Sequence, residues 1–128
     1  MMTREEFIQI LNEKGYSYEI VGDKISVVTK ESWHVNLGSL KTIPPNVEFN
    51  NEGSVNLKSL ETLPPGVEFN NLVDVNLKSL ETIPPGFKFN NKGDVKLKSF
   101  WFEDWNGNIE GIYSKRLLNG MIKRGLFL

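Results

Sequence analysis

At 128 residues the chain is long enough for one modest core and too short for several domains. Fifteen basic residues against sixteen acidic ones leave a formal charge of −1 and a pI near 5.9, so no global field gathers nucleic acid or an anionic membrane. With no cysteine there is neither a disulfide framework nor a thiolate metal site. The opening MMTREEFIQILNEKG places charges where a secretory signal needs an apolar run, and no stretch approaches the roughly 18 apolar residues of a membrane span. A cytoplasmic protein is expected.

Thr3, followed three residues later by Glu6, reads as a capping box, and Phe7, Ile8, Ile10 and Leu11 give an apolar stripe that stops at Gly15. A helix is predicted from about Arg4 to Lys14. In YSYEIVGDKISVV, Tyr16, Tyr18 and Ile20, then Ile25 and Val27, alternate across Gly22-Asp23, as in a hairpin with a two-residue turn. Residues 1–30 are therefore expected to form an α-β-β cap. His34, just beyond this cap, has no His or Cys partner and reads as a surface or lining residue.

From Val35 one phrase of twenty residues is repeated: VNLGSLKTIPPNVEFNNEGS, VNLKSLETLPPGVEFNNLVD from Val55 and VNLKSLETIPPGFKFNNKGD from Val75, then VKLKSF from Val95. A fixed period of this size predicts stacked coils that bury their apolar faces only against one another. Within a coil, Val55 and Leu57, then Val67 and Phe69, alternate with polar residues as two short strands with one face inward, and Leu60 and Leu63 turn inward through an irregular bend. The second proline of each pair suits the first central position of a type II turn, and Asn46, Gly66 or Gly86 tolerates the positive φ required next; with no donor, the proline corner should interrupt the ladder. A second corner falls at the Asn-Asn pairs 50–51, 70–71 and 90–91. Columns of Val35/Val55/Val75/Val95, Leu37/Leu57/Leu77/Leu97, Leu40/Leu60/Leu80/Phe100 and Phe49/Phe69/Phe89 should form the core. Asn50/Asn70/Asn90 or their neighbours should ladder through their amides.

The segments Leu60 to Asn71 and Leu80 to Asn91, LxxLPPGVxFNN or a close variant, resemble the short bacterial leucine-rich repeat, with its Leu-Pro corner and Asn turn. The resemblance covers about Val35 to Phe100. Phe69 and Phe89 stand where leucine is usual, and Val-Asn-Leu supplies a second strand. The expected fold is thus a mainly β repeat solenoid over residues 31–100, either leucine-rich-repeat-like or a flatter two-sheet β-solenoid. The ending WFEDWNGNIEGIYSKRLLNGMIKRGLFL is similar to tails of repeat proteins from bacteria and their phages, which implies no activity.

At Phe100 the pattern breaks. Asn106-Gly107-Asn108 reads as a turn, and Ser114 as the N-cap of a helix whose Leu117, Leu118, Met121 and Ile122 share one face, ending at Gly125. Residues 101–128 are expected to be a helical C-terminal cap over the last coil.

Chemistry-bearing residues are sparse. Trp101 and Trp105 with Glu103 and Asp104 could stack on and hydrogen-bond a sugar, or simply close the core as a lid. Adjacent carboxylates make a poor hydrolytic pair. No phosphate loop, nucleophile-base pattern or metal-ligand spacing is present, so no enzyme, cofactor or metal is expected. On the outer surface Lys58, Lys78 and Lys98 should align beside Lys96, with Glu61 and Glu81 parallel to them and Asn56 and Asn76 nearby. Leu72-Val73 places two apolar residues at a corner where the flanking units have Glu52-Gly53 and Lys92-Gly93. Lys58, Lys78, Lys98, Asn56, Asn76, Glu61, Glu81, Leu72 and Val73 are the candidates for a protein-binding face, and Trp101, Trp105, Glu103 and Asp104 for the alternative, a small-ligand or carbohydrate site. The expected partner is a protein, the subclass suggested by the tail being an inhibitor or adaptor acting on a host protein. Neither nucleic acid nor membrane is expected as a partner, and the chain should be a monomer or weak dimer.

Overall fold

A computed structural model describes residues 2–29, 34–84, 87–98 and 110–113 of the chain. Helix α1 (Arg4–Glu13) starts as its sequence dictates: Thr3 Oγ1 accepts the Glu6 N–H at 3.2 Å while Glu6 Oε1 accepts the Thr3 N–H at 3.3 Å. It ends where Gly15 turns to φ +74° and the Tyr16 N–H reaches back to the Leu11 carbonyl at 2.9 Å. Phe7 and Leu11, one turn apart, are fully buried. Strands β1 (Tyr18–Val21) and β2 (Lys24–Val27) form the antiparallel hairpin, with Gly22 at φ +64° in the turn. Ile25 and Val27 enter the core, but Ile20 and Val21 on the outer strand stay exposed.

The rest of the described chain is two small sheets that share one apolar core. In the first, β2 pairs in parallel with β4 (Val47–Phe49) and β4 with β6 (Glu68–Phe69). In the second, β3 (Val35–Asn36), β5 (Val55–Asn56), β7 (Val75–Asn76) and β8 (Val95–Lys98) run in parallel, each step twenty residues on. Val35, Val55, Val75 and Val95 are thus direct neighbours in register, all buried. The architecture is mostly strand with one short helix.

Leu37, Leu57, Leu77 and Leu97 are buried behind the valines, and a repeated turn follows them: the Leu40, Leu60 and Leu80 N–H groups donate to the carbonyls three residues back, after which the stretch through Leu63 is irregular, with Leu60 and Leu63 both buried. Leu60 and Leu80 are fully buried and Leu40 partly so, while Phe100 lies outside the described residues. On the other wall Phe49 and Phe69 stack at 5.3 Å between centroids and 8° between planes, and Phe69 and Phe89 at 5.7 Å and 16°. Such pairs contribute about 0.5–1.5 kcal/mol each beyond their burial.

Both corners have an evident cause. At the proline corner Asn46 and Gly66 adopt φ +62° and +78°, as a type II turn requires, while Gly86 lies outside the described residues. This corner does not wholly break the ladder, because the residue after the prolines resumes it: the Asn46 N–H donates to Pro65 O at 3.1 Å, and Asn46 O accepts from Ile25. At the second corner the two asparagines divide the work. Asn70 Nδ2 donates to Asn50 Oδ1 at 3.0 Å, and Asn50 Nδ2 to Ser26 Oγ at 2.7 Å, a ladder of half-buried side chains. Asn51, Asn71 and Asn91 are buried: Asn71 Nδ2 reaches Gly53 O, Val73 O and Asp74 O at 3.0–3.3 Å, and Asn91 Nδ2 reaches Val73 O, Gly93 O and Asp94 O at 3.1–3.4 Å.

Two features depart from the sequence-based expectation. Residues 87–89 of the third unit carry no strand, because the Phe87 N–H turns back to Pro84 O at 3.2 Å. A strand not anticipated, β9 (Glu110–Tyr113), pairs antiparallel with β8 and covers that sheet edge. The helix expected from Ser114 lies outside the described residues.

Replacing Asn71 by Ala should cost about 1–3 kcal/mol, because it orphans buried carbonyls, whereas Asn70→Ala should cost less than about 1 kcal/mol. Urea unfolding of the two variants measures the difference; equal losses would contradict the assigned division of roles.

Candidate interaction face

The outer positions of the second sheet are set by its register: Asn36, Asn56, Asn76 and Lys96 form one row, preceded by His34, Ser54, Asp74 and Asp94. The preceding row has a structural task. His34 Nδ1 accepts the Ser54 N–H at 2.9 Å, and Asp74 Oδ1 accepts the Asp94 N–H at 2.8 Å, so side chains here tie one unit's backbone to the next. Between the rows runs a groove of about 280 Å³ lined by Ser54, Asn56, Asp74, Asn76, Asp94 and Lys96.

Asn56 and Asn76 both line that groove, but half of each amide serves the fold. Asn56 Oδ1 accepts the Lys58 N–H at 3.1 Å and Asn76 Oδ1 the Lys78 N–H at 3.2 Å, Asx-type bends that arise from Asn-x-Lys spacing. That bond uses one lone pair of each amide oxygen and neither N–H of its Nδ2 group. Lys58 is exposed and Lys78 half-buried; Lys98 ends β8 opposite Glu110. Glu61 and Glu81 are exposed and adjacent, the Glu81 N–H donating to Glu61 O at 3.0 Å. Leu72 and Val73 are exposed at 46% and 37%, immediately before the groove residue Asp74. Trp101, Glu103, Asp104 and Trp105 lie outside the described residues.

The Leu72-Val73 corner is shaped by Gly93. A Cβ on Gly93 would meet Asp74 Oδ1 and come within 2.6 Å of the Val73 carbonyl carbon, so the backbone carrying Val73 is laid directly against glycine.

Sequence reasoning missed a charge cluster on the outside of the first sheet. Parallel pairing of β2, β4 and β6 places Ser26, Glu48 and Glu68 in line, and Lys24 from the hairpin meets Glu48 Oε1 at 2.8 Å and Glu68 Oε1 at 4.0 Å. The hydrogen bond from Lys24 holds the Glu48 carboxyl below its ordinary range against the opposing effect of burial, and the same bond holds Lys24 above its own. The only signal for this cluster was the likeness between the hairpin's VGDKISVV and the repeats' PPNVEFNN, too weak to fix a register. Among the described residues no three of His, Cys, Asp and Glu stand close enough to hold a metal ion, and no helix is long and apolar enough to cross a membrane.

Compared with known proteins, the chain matches no family model, no curated protein and no solved structure.

The Lys24–Glu48 pair makes a pH prediction. Folded Glu48 gives up its proton at lower pH than unfolded Glu48, so its contribution is present above the ordinary carboxylate value and fades as pH falls through the lowered folded value. Lys24 acts at the other end, its contribution fading as pH rises through its raised folded value. The stability gap between the native chain and Lys24→Met, measured by urea unfolding, should therefore narrow on acidification from pH 7 to pH 3. A gap of constant size would contradict the pairing.

Proposed function

We propose that the chain is a twenty-residue repeat solenoid of the short leucine-rich type, closed by its two terminal segments, and that it works by binding another protein. The face is the outer side of the second sheet, with Asn56, Asn76, Lys58, Lys78, Lys98, Glu61 and Glu81, together with the Leu72-Val73 corner. The observation that carries this reading is the exposure of Leu72 and Val73, at 46% and 37%, beside a groove of mixed charge. Apolar side chains at an exposed corner, where the flanking units have Glu-Gly and Lys-Gly, leave part of their surface in water and gain from being covered. A rigid row of Asn amides and flanking charges then orients whatever covers them, and its prior ordering lowers the cost of association. In chemical terms the partner presents an apolar side chain for the corner, with donors for the carboxylates of Asp74 and Asp94. An inhibitor or adaptor acting on a host protein is the subclass that the likeness of the tail supports.

Covering Leu72 and Val73 is worth about 1 kcal/mol each, since both are already half-sheltered. Leu72→Ser with Val73→Ser should therefore weaken binding of the captured and purified partner about 30-fold in calorimetric titration while the thermal midpoint stays within about 2 °C. Unchanged affinity would remove this face. A tryptophan emission shift on titration with a panel of sugars, with no protein captured, would transfer the proposal to Trp101 and Trp105.

A further inference from the structure

A second concavity, of about 430 Å³, is lined by Lys14 at the end of α1, by Asn36, Gly38 and Ser39 of the first unit, and by Asn56 and Lys58 of the second. The sequence marks the spot. Where later units carry Lys58, Lys78 and Lys98, the first carries Gly38. Gly38 is buried, and a Cβ on it would lie 3.2 Å from Lys58 Cε, 3.2 Å from Asn36 Oδ1 and 3.3 Å from Asn56 Nδ2. The stem of Lys58 therefore rests across the glycine, and a fourth lysine in this column would fill the space that Lys58 now occupies.

Its polar groups are sorted by sign. Asn36 Oδ1 accepts the Gly38 N–H at 3.1 Å, and Asn56 Oδ1 the Lys58 N–H at 3.1 Å. Gly38 O accepts from Ser59 Oγ. Each asparagine oxygen thus has one of its two lone pairs turned to the backbone, while the NH₂ groups of both amides and the ammonium groups of Lys14 and Lys58 stand as donors at the cavity. Ser39, whose hydroxyl turns to suit its partner, completes the lining. The nearest acidic residue in sequence, Glu13, accepts from Gln9 Nε2 at 3.2 Å, and neither lysine forms a salt bridge among the described residues. Two cations and two amide NH₂ groups, with no carboxylate among the lining residues, complement an oxyanion.

We propose that this concavity binds a phosphate group, the two ammonium ions matching the charge of a phosphate monoester dianion and the asparagine amides fixing its oxygens. The inference stands on this cavity alone and does not need the protein-binding face. The group could arrive as free phosphate or on a phosphorylated side chain, and the chemistry recognised is the same.

The test is an NMR titration of the full-length ¹⁵N-labelled chain with sodium phosphate at constant ionic strength, with sodium chloride as control. Saturable shifts of the Asn36 and Asn56 side-chain NH₂ signals and of the Gly38 amide are expected with phosphate only. Lys14→Gln and Lys58→Gln, both at exposed positions, should each weaken the fitted affinity up to about fivefold, and Gly38→Ala should abolish it by filling the site. Repeating the titration with a phosphoserine peptide separates the sources: tighter binding than phosphate assigns the group to a modified side chain, and equal or weaker binding to the free ion. Shifts spread over Lys41 and Lys92 as well, a response equal to that of chloride, or affinity unchanged in both lysine variants would overturn the proposal. Because the lysine variants leave the core untouched, misfolding of Gly38→Ala would not remove the test.

Discussion

The structure depends on how the carbonyls of the second corner are satisfied. A backbone that turns sharply every half unit leaves carbonyl groups facing inward with no strand beside them, and a buried unpaired carbonyl costs about 1–3 kcal/mol. Asn71 answers this by donating to Gly53 of the preceding unit and to Val73 and Asp74 of its own, and Asn91 repeats the arrangement one unit on. Each amide thus links two successive units. A slip of one residue would break these bonds and also turn the valine, leucine and phenylalanine columns outward, since side chains alternate with period two. Register is therefore fixed twice, by polar bonds at the corner and by apolar packing between the sheets.

Local signals were fully legible. The Thr3–Glu6 capping box, the positive φ at Gly15, Gly22, Asn46 and Gly66, and the valine register need only a few adjacent residues or the period itself. What stayed hidden was division of labour between neighbours. Asn50 and Asn51 are alike in sequence, and only three-dimensional placement makes one a half-buried rung and the other a buried clamp. The same holds for Asn56 and Asn76, whose alignment as a row was evident but whose carbonyls are taken by the Lys58 and Lys78 N–H groups. Contacts made where the repeat begins or ends were least legible, because no internal copy announces them: Lys24 on Glu48, and β9 against β8.

That distinction bears on function. Positions facing the interior are constrained by identical neighbours above and below, so departures there reflect packing: Phe87 replaces valine and lays its ring edge-on to Phe89 at 4.9 Å, with the strand of that unit lost. On the outer surface the two departures meet their neighbours differently. Gly38 interrupts the lysine column and is roofed by the stem of Lys58, and Leu72-Val73 interrupts a polar corner and stays in solvent.

The two departures also differ in the ligand they suit. At Gly38 the lysine column lacks a side chain, and the hollow beside it is lined by two lysines and by amides whose oxygens each accept one backbone N–H. At Leu72-Val73 side chains have been added above a backbone already pressed against Gly93, which projects apolar surface outward and suits a flat, extended contact. Asn56 borders both the groove and the hollow, so its single uncommitted NH₂ group lies where the two surfaces meet.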